Sequence, residues 1–253
     1  MTTTTTSESP RPITIRADGV HKFYGEFAAL QDVSFSVRQG TVAAFLGPNG
    51  AGKSTTMRIL TGYLAPTSGR VEILDLDPTD AGQRHELARR LGYLPENGPV
   101  YRDMTPLESL RFFGQVCKLG GELEDAIDRV VDICALHTVL QKPIHKLSKG
   151  YRQRVGMARA LLHDPDVIIM DEPTSGLDPL QIREVRALIR ELGKDKTILL
   201  STHILQEVQA VADEVVVIDE GRIVFNGARD ELTADSTLEK RFYELTEGRR
   251  EVG

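Results

Sequence analysis

Hydrophobic and polar positions change texture along this chain. Residues 13–20 and 33–37 alternate apolar with polar side chains, the period-two pattern of strands that bury one face. Residues 41–46 form a short apolar run closed by Gly47, and after a glycine-rich turn residues 54–60 read as a helix. The middle third is mainly helical. Residues 105–116 have helical spacing, and in residues 122–136 the apolar side chains Leu123, Ile127, Val130, Val131 and Ile133 recur at helical spacing. Beyond them, apolar runs at 167–170, 197–200 and 215–218 are separated by helical patterns at 181–192 and 205–211. Strands that are apolar on both faces and alternate with helices predict a parallel sheet covered by helices. The expected architecture is an α/β core with a mostly parallel sheet, a small antiparallel β region on its N-terminal side, and an inserted α-helical subdomain at residues 97–160.

Composition narrows the picture without assigning a function. The chain has 253 residues, 40% hydrophobic and 27% charged, enough for one large α/β domain or two small ones. A net charge of -6 leaves no basic surplus for a phosphate backbone, which argues against nucleic acid as a partner. The longest apolar runs fall far short of the roughly 18 residues of a membrane helix. Residues 1–11 begin with a run of threonines and lack the apolar stretch of a secretory signal. They are expected to be a disordered tail, and the chain to be cytoplasmic. Residues 235–253 are expected to form a short helical tail. The two cysteines, Cys117 and Cys134, fit a reducing compartment and have no metal-ligand spacing.

The chemistry begins at Gly47-Pro48-Asn49-Gly50-Ala51-Gly52-Lys53-Ser54, which matches G-x-x-x-x-G-K-[ST] between an apolar strand and a helix, the context this phosphate-loop motif requires. Glycines let successive amides converge on a phosphate, and the helix that follows aims its positive end at the same anion. Lys53 supplies a point charge for the β- and γ-phosphates of ATP, and the Ser54 hydroxyl is a ligand for Mg²⁺. Thr55 follows on the same turn. The second half of the site is Asp171-Glu172-Pro173, at the C-terminal end of an apolar strand, where open α/β sheets present their ligand-binding groups. Asp171 is placed to hold the metal, directly or through water. Glu172 is placed to orient or deprotonate the attacking water.

Further motifs carry a family resemblance. Leu147-Ser148-Lys149-Gly150-Tyr151 resembles the signature peptide of ATP-binding cassette proteins, usually Leu-Ser-Gly-Gly-Gln. Ser175-Gly176-Leu177-Asp178 resembles that family's D-loop, and Ser201-Thr202-His203 its switch histidine. The resemblance covers residues 12–234. It implies a P-loop NTPase fold and a head-to-tail dimer, in which Ser148 and Gly150 of one chain face the γ-phosphate held by the other. It also implies that Tyr24 stacks on adenine and that His203 contacts the γ-phosphate. Ordinary readings stand beside these: Ser148 as a helix cap, Tyr24 as a surface tyrosine, His203 as a loop histidine.

The chain departs from the family pattern in three places. Glu96 stands where most relatives have a glutamine that links Mg²⁺ to the membrane partner; a carboxylate still offers the metal an oxygen. Lys149 and Tyr151 depart within the signature. Glu96 in Tyr-Leu-Pro-Glu, with residues 203–208 and 221–224, resembles the export-type ATPases that pair with separate permeases. The short stretch after residue 234 fits that group. The resemblance therefore implies an ATPase subunit peripheral to the inner face of the membrane, working with a transmembrane permease and a second copy of itself. The alternative is a soluble cassette ATPase acting on nucleic acid or the ribosome. Such relatives carry two cassettes or a long coiled-coil insertion, and this sequence has neither.

Overall fold

The computed structural model describes residues 11–98, 101–234 and 236–247; most of the expected N-terminal tail and the last six residues of the C-terminal one lie outside them. In chain order the elements are β1 (Ile13–Tyr24), β2 (Phe27–Arg38), β3 (Val42–Leu46), α1 (Lys53–Leu60), β4 (Ser68–Ile73), α2 (Arg84–Arg90), β5 (Leu91–Leu94), α3 (Pro106–Val116), α4 (Leu123–Ile133), α5 (Lys149–Leu161), β6 (Val167–Asp171), α6 (Pro179–Leu192), β7 (Thr197–Thr202), α7 (Leu205–Val211), β8 (Glu214–Asp219), β9 (Arg222–Ala228), α8 (Arg229–Leu232) and α9 (Leu238–Glu247).

Two sheets result. An antiparallel sheet has the order β2-β1-β4, and a larger one has the order β5-β6-β7-β3-β8-β9, parallel except for the β8–β9 hairpin. The larger sheet is apolar on both faces. Ala44 and Leu46 of β3 join Ile168, Met170, Ile198 and Leu200 in a core closed by α3, α4, α5 and α6. Ala43 and Phe45, one residue out of phase, join Val167, Ile169 and Leu199 in a second core closed by α1 and the antiparallel sheet. The period-two alternation of a strand thus divides one continuous apolar run between two cores. Helices α3, α4 and α5 pack on one another, and α5 lies beside β5.

Three features exceed the sequence reading. Strands β1 and β2 run to Tyr24 and back from Phe27 as one long hairpin, beyond the alternating segments, because register shifts break the period. Strand β4 and helix α2 arise from polar stretches. Strand β9 pairs with β8 through Glu220 and Gly221, both at positive φ (45° and 75°), a pairing typical of a tight type I′ turn. That turn serves the site: Gly221 N–H donates to Ala51 O at 3.0 Å, and Gly221 O accepts from Gln31 N–H at 2.8 Å. It therefore ties the phosphate loop to the antiparallel sheet.

Candidate active site

Parallel pairing brings distant segments of the chain together. In the register of β3, β7 and β6, Leu46 lies opposite Thr202, and Asp171 opposite Ser201. The C-terminal ends of three neighbouring strands thus deliver the phosphate loop, Asp171-Glu172 and Ser201-Thr202-His203 to one edge of the sheet, where ligands of open α/β folds bind. A cavity of about 420 Å³ opens there, lined among others by Asn49, Gly50, Gly52, Lys53, Ser54, Thr55, Glu96, Glu172 and His203. Gly47, Pro48 and Ala51 complete the loop. Gly52 has φ 108°, and a Cβ on it would lie 2.6 Å from Leu30 Cδ2 and 2.9 Å from Ala29 O, so only glycine suits the entry to α1.

Lys53 does not point into solvent. Its side chain is 6% exposed, and its ammonium donates to Gly47 O at 2.9 Å and Pro48 O at 3.1 Å. It also lies 3.3 Å from Glu172 Oε1, whose side chain is 9% exposed. These three partners match the three donors of an ammonium. The other Glu172 oxygen lies 2.9 Å from His203 Nδ1. Lysine, glutamate and histidine therefore form one polar chain across the ends of three strands.

Glu172 has φ 48°, a left-handed conformation that a non-glycine residue adopts at a cost of about 1–2 kcal/mol. Its N–H donates to Ser201 Oγ at 3.0 Å, and its carbonyl accepts from Ser175 N–H at 3.1 Å, which closes the turn beyond Pro173. Such strain persists only where the surroundings over-determine it, and it is concentrated at functional sites.

Asp171 is buried behind the cavity, and its Oδ1 accepts from Ser201 Oγ at 2.6 Å and Ser54 Oγ at 3.2 Å. On the neighbouring β5, burial first and then the Asp171 charge push the Tyr93 phenol up to about 12. Among the described residues no cluster of three or more His, Cys, Asp or Glu side chains can hold a metal ion. Ser54 and Asp171, joined by a hydrogen bond, and Glu96 on the cavity lining are the oxygen donors that could serve a metal here. That suits Mg²⁺, which binds through one or two carboxylates, waters and substrate phosphates.

The rim is aromatic. Tyr24 and Phe27, 48% and 65% exposed at the two ends of the β1–β2 turn, line the cavity. Ser175, Ser201 and Thr202 enter the sequence reading only as members of the D-loop and switch motifs, with no role of their own, and Phe27 does not enter it. An exposed aromatic three positions from Tyr24 was the available signal for Phe27. Glu207 also had no assigned role. It lies on the otherwise apolar face that α7 buries with Val208 and Val211. Its Oε2 accepts from Thr202 Oγ1 at 2.5 Å and its Oε1 from Thr174 Oγ1, and burial raises its pKa above the usual carboxylate value.

Ser148, Gly150 and Asp178 do not line this cavity. Ser148 Oγ accepts from Tyr151 N–H at 3.3 Å and caps α5, and Asp178 caps α6 in a reciprocal box with Gln181. Gly150 packs on Gln181, where a Cβ would lie 2.5 Å from the Gln181 amide. Lys149 Nζ packs against Gly176. The Tyr151 hydroxyl lies 3.4 Å from Thr138 Oγ1. These residues form a second cluster, joined to the first where Gln153 Nε2 donates to Pro173 O at 2.8 Å.

Comparison with known proteins identifies the family. Residues 30–175 match the family model described as ABC transporter. The chain is 40% identical over 212 residues to the bacitracin transport ATP-binding protein BcrA of Bacillus licheniformis, a match that covers 83% of this chain and 68% of that protein. It is 34% identical over 251 residues to the probable multidrug ABC transporter ATP-binding protein YbhF of Escherichia coli. That match takes in 95% of this chain but only 43% of YbhF, so the chain spans less than half of that relative. A solved ATP-binding subunit of an ABC transporter superposes with a TM-score of 0.82 at 30% identity, covering 92% of this chain and 99% of that one.

Proposed function

The chain belongs to the ABC transporter family as one of its ATP-binding, ATP-hydrolysing cassettes, and from that premise we propose a role for each residue at the sheet edge. Tyr24 and Phe27 take the adenine against their rings, a contact worth on the order of 1 kcal/mol beyond burial and tolerant of other bases. The amides of residues 47–52 and the N-terminus of α1 take the phosphates. Lys53 leaves Glu172 for the β- and γ-phosphates. Ser54 and Asp171, with Glu96 on the cavity lining, would hold Mg²⁺, which would neutralise negative charge on the phosphates.

Once Lys53 has turned to the phosphates, Glu172 Oε1 is free to accept a proton from a water in line with the γ-phosphate. His203, already bonded to Oε2, keeps the carboxylate in place and contacts the γ-phosphate. The observation that carries this reading is the single polar chain of Lys53, Glu172 and His203 along one cavity. Glu172→Gln should bind ATP with near-normal affinity and hydrolyse it roughly 10²- to 10⁴-fold more slowly. Hydrolysis at the wild-type rate would overturn the role of Glu172.

The second cluster supports a dimer. Ser148 and Gly150 stand at the N-terminus of a 13-residue helix, apart from a phosphate loop that is already complete in the same chain. We propose that two copies pair head to tail, each presenting this helix end to the γ-phosphate held by the other. The pair drives a separate transmembrane permease of export type from the inner face of the membrane. Sequence features around Glu96 and residues 203–208, and the transport roles in the relatives' names, favour that partner. Among the described residues no helix is long and apolar enough to cross a membrane.

A further inference from the structure

Glu207 is a buried carboxylate beside the catalytic loops that the reaction above leaves unused. It is 2% exposed and sits on α7, away from the cavity lining. Its two oxygens are divided between two loops. Oε1 accepts from Thr174 Oγ1, two residues beyond Glu172, and Oε2 accepts from Thr202 Oγ1, immediately before His203. Thr202 Oγ1 accepts in turn from Ile204 N–H at 3.0 Å, which fixes the backbone on the far side of the histidine. Both threonines are buried, so neither hydroxyl has water as a substitute partner.

We infer that Glu207 is a positioning residue for ATP hydrolysis: by tying Thr174 to Thr202 it holds Glu172 and His203 at bonding distance, a role that rests on the reading of those two residues given above.

The backbone supplies the reason such a tie is needed. Glu172 sits in a left-handed conformation just before Pro173, and the turn is closed by the bonds Ser175 N–H to Glu172 O and Leu177 N–H to Thr174 O, both 3.1 Å. Thr174 belongs to both halves of that turn, so anchoring its side chain over-determines the strained residue. The opposite anchor lies at the end of β7, whose Ser201 hydroxyl already holds Glu172 N–H and Asp171. Without Glu207 the two loops lose the brace that sets the position of the Glu172–His203 pair. A displacement of about 1 Å in such a group can lower the rate by about 10²-fold.

The test compares kcat and ATP affinity in the purified full chain. Glu207→Ala should lower kcat by about 10- to 100-fold and leave the dissociation constant for ATP within about threefold of wild type. Glu207→Gln keeps an acceptor for one threonine and can donate to the other hydroxyl, so it should retain activity within about threefold. In a Glu172→Gln background, Glu207→Ala should add less than about threefold, because the residue acts through the base. If Glu207→Ala does not fold, Thr174→Val and Thr202→Val carry the test, each with an expected loss of about 3- to 10-fold in kcat. Wild-type kcat in Glu207→Ala, or in both valine variants, overturns the inference, as does a full independent loss on top of Glu172→Gln. Wild-type hydrolysis by Glu172→Gln itself would instead overturn the reading of the base.

Discussion

The two functional clusters of this chain are built in opposite ways. At the sheet edge, Lys53, Asp171, Glu172 and Ser201 are buried and paired with one another within the chain. At the start of α5, Ser148 and Lys149 are exposed, the first as a helix cap and the second packed against Gly176. Interior charges that satisfy each other contribute to the fold as well as to chemistry. Exposed groups at a helix end contribute to the fold only through the cap and remain available to another molecule. Substitutions in the first cluster should therefore alter stability and activity together, whereas those in the second should alter activity with little change in stability.

The largest expected effect lies in the exposed cluster. Ser148→Arg should bring hydrolysis down to background, because bulk and charge block closure between two chains, while ATP binding to the isolated chain stays nearly unchanged. Calorimetric titration beside a steady-state assay checks both. The cap lost with Ser148 should cost about 1 kcal/mol, too little to unfold a domain. A large fall in the melting temperature would erase the contrast between the clusters.

Lys53→Ala sharpens the contrast from the other side. Beyond weakening ATP binding, it leaves the Glu172 carboxylate buried with His203 as its remaining partner. The expected loss of stability is about 3 kcal/mol, the low end for removing one member of a buried ion pair. Adding Glu172→Gln should restore most of that stability, and denaturant titration of the four proteins measures the coupling.

The smallest effect concerns Glu207 and pH. Burial raises its folded-state pKa above the ordinary value of 4.5, so the native state favours the protonated acid. Its contribution to stability is then greatest below pH 4.5, declines as pH rises from there to the folded-state value, and is flat above it. The stability of wild type relative to Glu207→Gln should follow that course in denaturant titrations across the acid range. An opposite slope would mean that the two threonine hydroxyls outweigh desolvation.

Much of this arrangement was legible in the sequence, for identifiable reasons. The apolar runs of β3, β6 and β7 end at Gly47, Asp171 and Thr202, and a parallel sheet places such ends on one edge. What escaped notice depends on packing. Strand β4 and helix α2 are polar in sequence and formed by contact with their neighbours. The inward turn of Lys53 requires the distance between two loops more than a hundred residues apart, which no local pattern encodes. Glu207 is a charged residue on an apolar helix face, a visible anomaly whose meaning depends on Thr174 and Thr202 arriving from other elements.

The claim that joins the two clusters is that each is completed by the other in a second chain. Mixing Ser148→Arg with Lys53→Ala tests it most directly, because their heterodimer contains one composite site with Lys53 from the first chain and Ser148 from the second. The measurement is ATP hydrolysis across the series of mixing ratios, pure variants included. The account predicts background activity at both ends and a maximum near equal amounts. Wild-type hydrolysis by pure Ser148→Arg, rising only linearly with protein concentration, would show that one chain completes the site by itself and would contradict the account.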